Sequence, residues 1–288
     1  MLKINKQKFK FIYIEITEYC NLACPFCPSK DLKVRKTLKI DDFKLILEKI
    51  KGYTNTVYLH ILGEPLLHKD FEKIVKLCDE YHLKVRLTTN GTLVNNYDFS
   101  KLKLNKINIS LQALVNSTQT KIDEYFENIN QMLISLKDKL TKGEVGIDFR
   151  LWNDKSNNEI VEKNNYLIKK LKENLKIDTY HNIHISIEDE FDWPNEDTPT
   201  NEDVVRCLGG KTQLGILTNM DVVLCCLDYE GKTKLGNLKN SSLQEILDDE
   251  PYQKAMNQML QGKPYFKICE CCKYRNKFTL KRGDARWK

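Results

Sequence analysis

The sequence of 288 residues lacks any long apolar run and is poor in cysteine for a disulfide-bonded protein. No segment approaches the roughly 18 consecutive apolar residues of a membrane span, and Glu15 interrupts the apolar stretch near the N-terminus. The 10 cysteines are far fewer than the roughly 8–10% of residues that marks a small disulfide scaffold. We therefore expect a protein without a membrane span, located in the cytoplasm, where thiols stay reduced.

The basic residues of the sequence do not suggest a nucleic-acid surface. The net charge is +6, and lysines such as Lys169, Lys170 and Lys172 are scattered over predicted helix faces. A nucleic-acid surface combines clustered cations with aromatic residues, so no nucleic-acid partner is expected. The hydrophobic content of 41% is sufficient for one large α/β domain, with or without a small second domain.

Strand-like and helix-like segments alternate over the first two-thirds of the sequence. Hydrophobic patterning predicts six strands, at Phe9–Thr17, Thr56–Leu62, Leu83–Thr88, Lys106–Gln112, Val145–Leu151 and Asn182–Glu188. Amphipathic spacing predicts four helices, at residues 40–51, 70–81, 120–140 and 158–175. Strands joined by helices are typical of βαβ units in a parallel sheet, whose chemistry lies at the carboxyl ends of the strands.

The pattern changes after about residue 190. An acidic segment with two prolines predicts a linker, followed by a hairpin over Gln213–Leu217 and Val222–Cys226 and by a capped helix over Ser241–Gln261. The predicted division of the chain is a first domain at 1–190, a linker at 191–206 and a small C-terminal domain at 207–288.

Three cysteines lie close together near the N-terminus. Cys20, Cys24 and Cys27 directly follow the first predicted strand. Three thiolates can ligate three irons of a cubane cluster and leave the fourth iron without a protein ligand. A structural zinc site normally has four ligands, and the nearest histidine is His60. The spacing alone leaves zinc, or three unrelated thiols, as alternatives.

The run CNLACPFC at 20–27 resembles the signature of the radical S-adenosylmethionine (radical SAM) superfamily. Further motifs similar to those of the family come directly after later predicted strands. The run LGEP at 62–65 is similar to the family's GGEP motif, with Leu62 in place of the first glycine. The resemblance covers about residues 9–190. It implies a partial (β/α)6 barrel that holds a [4Fe–4S] cluster and binds SAM.

The same resemblance implies roles for several residues beside SAM. Gly63 allows a close approach of the loop, Glu64 is expected to accept a hydrogen bond from the SAM amino group, and Arg150 offers a planar fork to the SAM carboxylate. The backbone of Phe26 is expected near the adenine. The expected partners of the ribose or methionine oxygens are Asn90, Ser110 and Gln112. Taken singly, each residue has an ordinary alternative, such as a loop acid, an ion-pair partner or a strand-end turn.

Six cysteines follow residue 200. The spacing of Cys207, Cys225, Cys269 and Cys272 resembles the auxiliary-cluster domain called SPASM, and especially its shortened form, Twitch, because no cysteine follows. Met220 stands where that family usually has a glycine. The resemblance implies a second [4Fe–4S] cluster held by the four thiolates, in a layout similar to that of the butirosin-pathway radical SAM dehydrogenase. Spacing alone also allows a four-thiolate zinc site.

Three cysteines remain outside the two predicted ligand sets. Cys225 and Cys226 are neighbours in a predicted strand, so their side chains point to opposite faces and only one can face the cluster. Cys226 and Cys271 are expected to be small buried hydrophobes, or one of them a hydrogen donor to a substrate radical. Cys78 is expected in the core.

The resemblance implies an oxidoreductase-type enzyme that reductively cleaves SAM to a 5′-deoxyadenosyl radical and abstracts hydrogen from a substrate. The first strand begins near residue 9, so no fused peptide-recognition domain is expected, which favours oxidation of a small polar molecule such as a sugar or cyclitol. The alternatives are a peptide maturase or epimerase, and a non-catalytic iron–sulfur or zinc protein. The expected partner is an external one-electron donor such as flavodoxin or ferredoxin.

Overall fold

The computed structural model describes residues 8–114, 117–153, 157–175, 180–190, 192–197 and 206–278. The strands within these residues are β1 (Phe11–Ile14), β2 (Thr56–Tyr58), β3 (Lys84–Thr89), β4 (Lys106–Ser110), β5 (Gly146–Asn153), β6 (Ile183–Asp189), β7 (Gln213–Ile216), β8 (Asp221–Val223) and β9 (Lys234–Asn237). The helices within them are α1 (Ile40–Ile50), α2 (Phe71–Glu80), α3 (Gln119–Ser135), α4 (Lys137–Thr141), α5 (Asn158–Leu175), α6 (Leu243–Asp248), α7 (Glu250–Leu260) and α8 (Lys267–Glu270).

The described strands form one sheet in the order β6-β5-β4-β3-β2-β1-β7-β8-β9. Strands β1 to β6 pair in parallel, and β7 adds to the other edge of β1, also in parallel. Strands β8 and β9 continue the sheet in antiparallel pairing. The predicted α/β fold, a parallel partial barrel followed by a C-terminal hairpin and helices, is confirmed. The sheet is continuous from the first predicted domain into the second.

Alternation along the strands gives the sheet one apolar and one polar face. In β1, Ile12 and Ile14 are fully buried in the main core, whereas Tyr13 lies on the opposite face. The helices cover the apolar face, and α2 contributes Cys78, which is buried in the core as predicted. The side chains on the opposite face are therefore available to line the interior of the partial barrel.

Two predicted helices are divided in the structure. The helix predicted at 241–261 breaks into α6 and α7 because Asp249 starts a new helix, accepting a hydrogen bond from Glu250 N at 2.8 Å, with Pro251 in the first turn. The helix predicted at 120–140 divides at Leu136 into α3 and α4. The short strand β9 was not predicted, since four residues that include a glycine carry little alternation.

Part of the predicted linker lies outside the described residues. Of 191–206, the structure describes 192–197 and 206. Among the helices of the described chain, none combines the length and apolar character that a bilayer crossing requires.

Candidate active site

The first cysteine site lies on the loop after β1. Cys20, Cys24 and Cys27 are half-buried free thiols. Burial, and then the two neighbouring thiols, raise the pKa of Cys24 to about 11. The Leu22 N–H donates a hydrogen bond to Cys20 Sγ at 3.4 Å. Mutually repelling thiolates are relieved by bound cations, so this donor set fits an iron–sulfur cluster.

Gly63 lets the LGEP loop pack directly against the cysteine loop. Its φ is +72°, and a Cβ at this position would lie 2.1 Å from Thr17 O and 3.0 Å from Tyr19 O. Glu64 N donates to Tyr19 O at 2.8 Å. A side chain at residue 63 would therefore separate the two loops.

Glu64 ties the LGEP loop to the end of β3. It is 1% exposed. Its Oε1 accepts hydrogen bonds from Thr89 Oγ1 at 2.8 Å and Leu66 N at 3.0 Å, and its Oε2 accepts one from Asn90 N at 2.7 Å. Burial raises the pKa of Glu64 to about 7, although these hydrogen bonds act in the opposite direction. The predicted bond to the SAM amino group stays a prediction, and Oε2 has capacity for a second donor.

Asn90 joins β3 to the cysteine loop. Its Nδ2 donates to Asn21 Oδ1 at 2.9 Å and lies 3.9 Å from Cys20 Sγ. Its Oδ1 accepts from Thr92 N at 2.9 Å. The amide therefore holds the cysteine loop in place in this structure, and its predicted contact with SAM remains a prediction.

An open cleft lies beside the cysteine loop, lined in part by Phe26, Gln112 and Trp152. The rings of Phe26 and Trp152 meet edge to face with centroids 4.4 Å apart. Gln112 Oε1 is buried and has no hydrogen-bond partner among the described residues. An aromatic wall beside an orphaned acceptor fits a nucleoside such as that of SAM. Sequence reasoning missed Trp152, although it lies two residues after Arg150 on the same face of β5.

Arg150 is engaged in an ion pair inside the partial barrel. Its Nε lies 3.3 Å from Asp148 Oδ2, and the same carboxylate accepts from Ser186 Oγ at 2.6 Å and contacts Lys106 Nζ at 3.5 Å. Ser110 stands in register with Arg150 at the end of β4 and is half-buried. Asp148 therefore holds the Nε of Arg150, and the predicted contact of Arg150 with the SAM carboxylate remains a prediction.

A row of polar side chains crosses the interior face of the sheet. Thr88, Asn108 and Asp148 stand in register on β3, β4 and β5, and Asn108 Nδ2 donates to Thr88 Oγ1 at 3.1 Å. His60 follows β2. Burial and then the Arg150 charge lower its pKa to about 3, so the ring is neutral. Asn108 Oδ1 and His60 Nδ1 are both buried without a hydrogen-bond partner in the described chain.

The four predicted ligands of the second site line one cavity. Cys207 and Cys225 approach it from the β7–β8 side, and Cys269 and Cys272 from α8 and the segment after it. Burial, and then the neighbouring thiols, raise the pKa of Cys225 and of Cys269. Four thiols around one largely apolar cavity fit a cluster whose four irons all have protein ligands.

The arrangement suits a cluster better than a mononuclear ion. No group of three His, Cys, Asp or Glu side chains among the described residues is placed to hold a single metal ion. In a cubane each thiolate binds a different iron, so the sulfur atoms stand farther apart than around one zinc.

Cys226 and Cys271 lie outside this cavity. Cys226 is on the opposite face and packs with Tyr13 against the same small apolar cluster, and Tyr13 stacks on Tyr58 with centroids 4.5 Å apart. Cys271 is buried, and its Sγ lies 3.7 Å from Glu196 O. The four predicted ligands thus line the cavity, and the spare cysteines Cys226 and Cys271 do not. The assignment of the ligands stays a prediction.

Met220 takes the backbone geometry of the glycine that it replaces. Its φ is +70°, in the left-handed region that glycine favours. Met220 N donates to Leu217 O at 2.8 Å, and Met220 O accepts from Leu238 N at 3.0 Å. The departure in sequence therefore leaves the turn between β7 and β8 intact.

Glu15, which sequence analysis treated only as an interruption of an apolar stretch, links the two halves of the site. It is 1% exposed, its Oε1 accepts from Leu62 N at 3.1 Å, and its Oε2 accepts from Thr218 N at 3.4 Å. Burial raises its pKa to about 8, and the charge of Glu18 acts in the same direction. The sequence did contain a signal for this role, because Glu15 is a charged residue within a predicted strand that directly precedes a cysteine motif.

Two family profiles match the chain at these two sites. The radical SAM superfamily profile matches residues 14–146, and the SPASM profile, an iron–sulfur cluster-binding domain, matches residues 207–273. Residues 14–146 therefore form a radical SAM domain, and residues 207–273 form a SPASM domain. The cofactors of the chain are accordingly SAM, the iron–sulfur cluster of the radical SAM site and an auxiliary cluster.

Several curated proteins align with parts of this radical SAM chain. GTP 3′,8-cyclase of Clostridium acetobutylicum is 31% identical over 64% of the chain and 55% of its own length. Fe-coproporphyrin III synthase of Methanosarcina barkeri is 27% identical over 40% of the chain and 30% of its own length. The S-adenosyl-L-methionine-dependent 2-deoxy-scyllo-inosamine dehydrogenase of Niallia circulans is 30% identical over 29% of the chain and 36% of its own length. The chain thus aligns with about a third to a little over half of these relatives.

Solved structures share the fold over most of the chain. BtrN in complex with AdoMet and 2-DOIA superposes with a TM-score of 0.55 and 15% identity, covering 93% of this chain and 94% of that one. Native anSMEcpe with bound AdoMet and the Cp18Cys peptide gives a TM-score of 0.59 and 15% identity, covering 92% and 86%. At this identity the likeness concerns the fold alone.

Proposed function

We propose that this radical SAM enzyme oxidises a small polar molecule, with a sugar or cyclitol alcohol as the substrate class. The observation that carries the proposal is the polar row on the interior face of the sheet. Asn108 Oδ1 accepts only, and neutral His60 can accept at Nδ1, so both suit the hydroxyl or amino groups of a polyol. The dehydrogenase of Niallia circulans and the bound ligand of BtrN are consistent with this class.

The ligand sets proposed for the two clusters are Cys20, Cys24 and Cys27 for the first, and Cys207, Cys225, Cys269 and Cys272 for the auxiliary one. When bound, SAM and the first cluster would supply a 5′-deoxyadenosyl radical that removes a hydrogen atom from the substrate carbon. The auxiliary cluster would accept the remaining electron, and the hydroxyl proton would leave to solvent. The residues proposed to contact SAM are Phe26, Gly63, Glu64, Asn90, Ser110, Gln112 and Arg150.

The chain's own contribution is to hold these groups and to enclose the substrate. Glu64 and Asn90 hold the LGEP and cysteine loops together. The C-terminal segment crosses to the β6 side, where Lys277 Nζ lies 3.0 Å from Glu188 Oε2 and Lys273 Nζ lies 2.9 Å from Asp192 Oδ2. We propose that the C-terminal domain at 207–288 closes the open side of the barrel domain at 1–190 across the linker at 191–206, which excludes water from the reaction.

The proposed reaction needs an external one-electron donor, such as a flavodoxin or a ferredoxin. The ten cysteines are free in the structure. Because thiolate-ligated clusters and free thiols persist in a reducing compartment, we propose that the enzyme works in the cytoplasm.

One observation favours a second candidate, a peptide maturase or epimerase. The Cys226 thiol lies on the interior side of the sheet beside Tyr13, where a hydrogen donor to a substrate radical would stand. Cys271, the other candidate donor, is buried against the backbone at Glu196. Of the two spare cysteines, Cys226 is therefore the one to test as a donor.

The test is anaerobic reconstitution with iron, sulfide, SAM and dithionite. We expect methionine and 5′-deoxyadenosine, with a turnover that rises in the presence of 2-deoxy-scyllo-inosamine or another polyol and yields a product two hydrogens lighter. Deuterium at the oxidised carbon should appear in 5′-deoxyadenosine. Absence of 5′-deoxyadenosine would contradict the enzyme proposal. Turnover with a peptide alone, lost in Cys226→Ala, would favour the second candidate.

A further inference from the structure

An exposed basic segment directly follows the first cysteine loop. Residues 30–39 contain five cations, Lys30, Lys33, Arg35, Lys36 and Lys39, against the single acid Asp31. All of them are exposed except the half-buried Arg35. None of the five has a carboxylate within ion-pair distance among the described residues. Lys30 and Arg35 instead donate to backbone carbonyls, to Pro25 O and Ser29 O, each at 2.8 Å.

Some lysines elsewhere on the surface are neutralised by a nearby carboxylate. Lys101 lies 2.9 Å from Asp98, and Lys170 lies 2.7 Å from Asp123. The unpaired charge at 30–39 therefore projects a positive potential into solvent, which ion pairing removes at those other positions.

Exposed apolar side chains adjoin this charge. Tyr19 is 49% exposed, Val34 71% and Leu67 40%, and these are three of the six large apolar residues exposed in the described chain. Tyr19 directly precedes the first cysteine of the site, so the apolar side chains stand next to the cysteine loop.

Hydrogen bonds bring the three segments together. Glu18 N donates to Lys36 O at 2.9 Å, and His68 Nε2 lies 2.9 Å from Leu38 O. Thr17 and Thr37 form an antiparallel bridge. We define the basic–apolar patch as Tyr19, Lys33, Val34, Arg35, Lys36 and Leu67.

We propose that the basic–apolar patch docks an acidic one-electron donor protein, an inference that rests on the proposed function. A donor seated there lies against the loop that carries Cys20, Cys24 and Cys27, because Tyr19 and residue 30 flank that loop in the sequence. One electron passes from the donor's reduced flavin or iron–sulfur centre to the first site. The donor is oxidised by one electron, the site is reduced by one, and no bond or proton is exchanged.

The composition of the patch suits a short-lived electron-transfer encounter. Unpaired cations attract an acidic partner over about a Debye length, roughly 8–10 Å at physiological salt, and raise its association rate. Apolar side chains among them give contact area without the large interface of a permanent complex. The adjacent cysteine loop is the electron acceptor that a donor docked at this patch would face. Its position explains why exposed cations and exposed apolar side chains occur together here.

The test is the affinity of two probes for the reconstituted holoenzyme: an acidic bacterial flavodoxin and an acidic two-cluster ferredoxin. The variant Lys33→Glu with Lys36→Glu reverses two exposed charges whose side chains have no partner in the described chain. The matched control, Lys169→Glu with Lys172→Glu, makes the same change of charge on α5. We expect the dissociation constant of at least one donor to rise about tenfold or more in the patch variant, with a shallower salt dependence, and to stay within about twofold in the control.

Val34→Ser is a second variant that leaves the charge unchanged. It should weaken donor binding about threefold or more without altering its salt dependence, because only apolar contact is lost. Iron content and circular dichroism check that each variant is folded and loaded. Equal affinities in the patch variant and the control, or no binding of either donor to the unmodified enzyme, would overturn the proposal.

Dithionite separates this proposal from the proposed function. As a small reductant it needs no docking surface, so dithionite-driven formation of 5′-deoxyadenosine should be equal in all variants. Failure of that reaction in the unmodified enzyme would contradict the proposed function, whereas the binding measurements would still decide whether the patch docks the donor.

Discussion

The two cysteine sites are built in opposite ways. The first takes three thiols from the single loop 20–27, which hydrogen bonds from Asn90 and the Leu22 N–H hold at the mouth of an open cleft. The second collects four thiols from distant parts of the chain around a largely apolar cavity. A site with a vacant coordination position needs an accessible and polar surrounding for its ligand, whereas a fully ligated cluster needs only enclosure.

The difference also determines what each site requires of the fold. The first loop needs β1 behind it, and the LGEP loop and Asn90 at the end of β3 beside it. The second requires that β7 pair with β1 and that α7 and α8 pack on the hairpin, because Cys207 and Cys272 are brought together only in the folded chain. Folding of the C-terminal domain and binding of its cluster should therefore be coupled.

The largest expected effect separates the two sites directly. Cys24→Ala should lower the rate of SAM cleavage about a hundredfold or more. Cys225→Ala should keep the rate of substrate-independent SAM cleavage within about tenfold of that of the unmodified protein. Each variant should retain about four iron atoms per chain, against about eight in the unmodified protein. Iron analysis and 5′-deoxyadenosine quantification measure both. Loss of cleavage in both variants to the same extent would contradict the division of roles.

The next effect concerns the polar support of the first site. Glu64→Gln places an amide NH₂ among the donors Thr89 Oγ1, Leu66 N and Asn90 N, so at least one of these hydrogen bonds must be lost. SAM cleavage should fall about 10–100-fold while the iron content stays unchanged. Thr89→Ser, which keeps the hydroxyl donor, is the control. An unaffected rate in Glu64→Gln would show that the carboxylate is dispensable.

A smaller expected effect is the pH dependence of stability that comes from Glu15, which links the LGEP loop to the β7–β8 turn. The pKa of Glu15 in the fold, about 8, exceeds its ordinary value of 4.5. The stabilisation by the neutral form is therefore complete below pH 4.5 and is lost as the pH rises towards 8, by about 1.4 kcal/mol per pH unit at most. In Glu15→Gln the free energy of unfolding should depend less on pH between 5 and 8. Denaturant unfolding at a series of pH values measures it, and identical slopes in both proteins would contradict this account.

The smallest effect on the clusters is expected from the two spare thiols. Cys226→Ala and Cys271→Ala should each retain about eight iron atoms per chain, because neither side chain reaches the cavity of the second site. Cys271→Ala should also keep its turnover within about twofold, since this buried thiol lies against the backbone at Glu196 and outside the cavity. A loss of about four iron atoms in either variant would show that the ligand assignment is wrong.

The sequence predicted the features that are local or periodic. The six parallel strands follow from alternation, and the first three cysteines lie within eight residues. The second ligand set came from the resemblance of the later cysteines to the SPASM layout, so the fold class and both candidate ligand sets were available without the structure. The division of the helix at 241–261 was missed because the amphipathic pattern continues through Asp249, although Pro251 was a signal of a new start.

Features that depend on packing could not be predicted in the same way. Glu15 links the LGEP loop to the β7–β8 turn only because β7 pairs with β1, which no local pattern indicates. The contacts of Asp148 with Lys106 on β4 and Ser186 on β6 depend on strand pairing in the same way. The cations of the basic–apolar patch are contiguous in the sequence and were overlooked, whereas its apolar members come from three separate segments that only the fold brings together.

The most direct test of the account compares how each site responds to SAM. Two proteins are reduced and examined by electron paramagnetic resonance: Cys225→Ala/Cys269→Ala, which keeps only the first site, and Cys24→Ala/Cys27→Ala, which keeps only the second. We predict that SAM changes the spectrum of the first protein and leaves that of the second unchanged, because only the first site has an iron without a protein ligand. A spectrum of the second protein that shifts with SAM, or a spectrum of the first that does not, would contradict the division between an open and a closed cluster site.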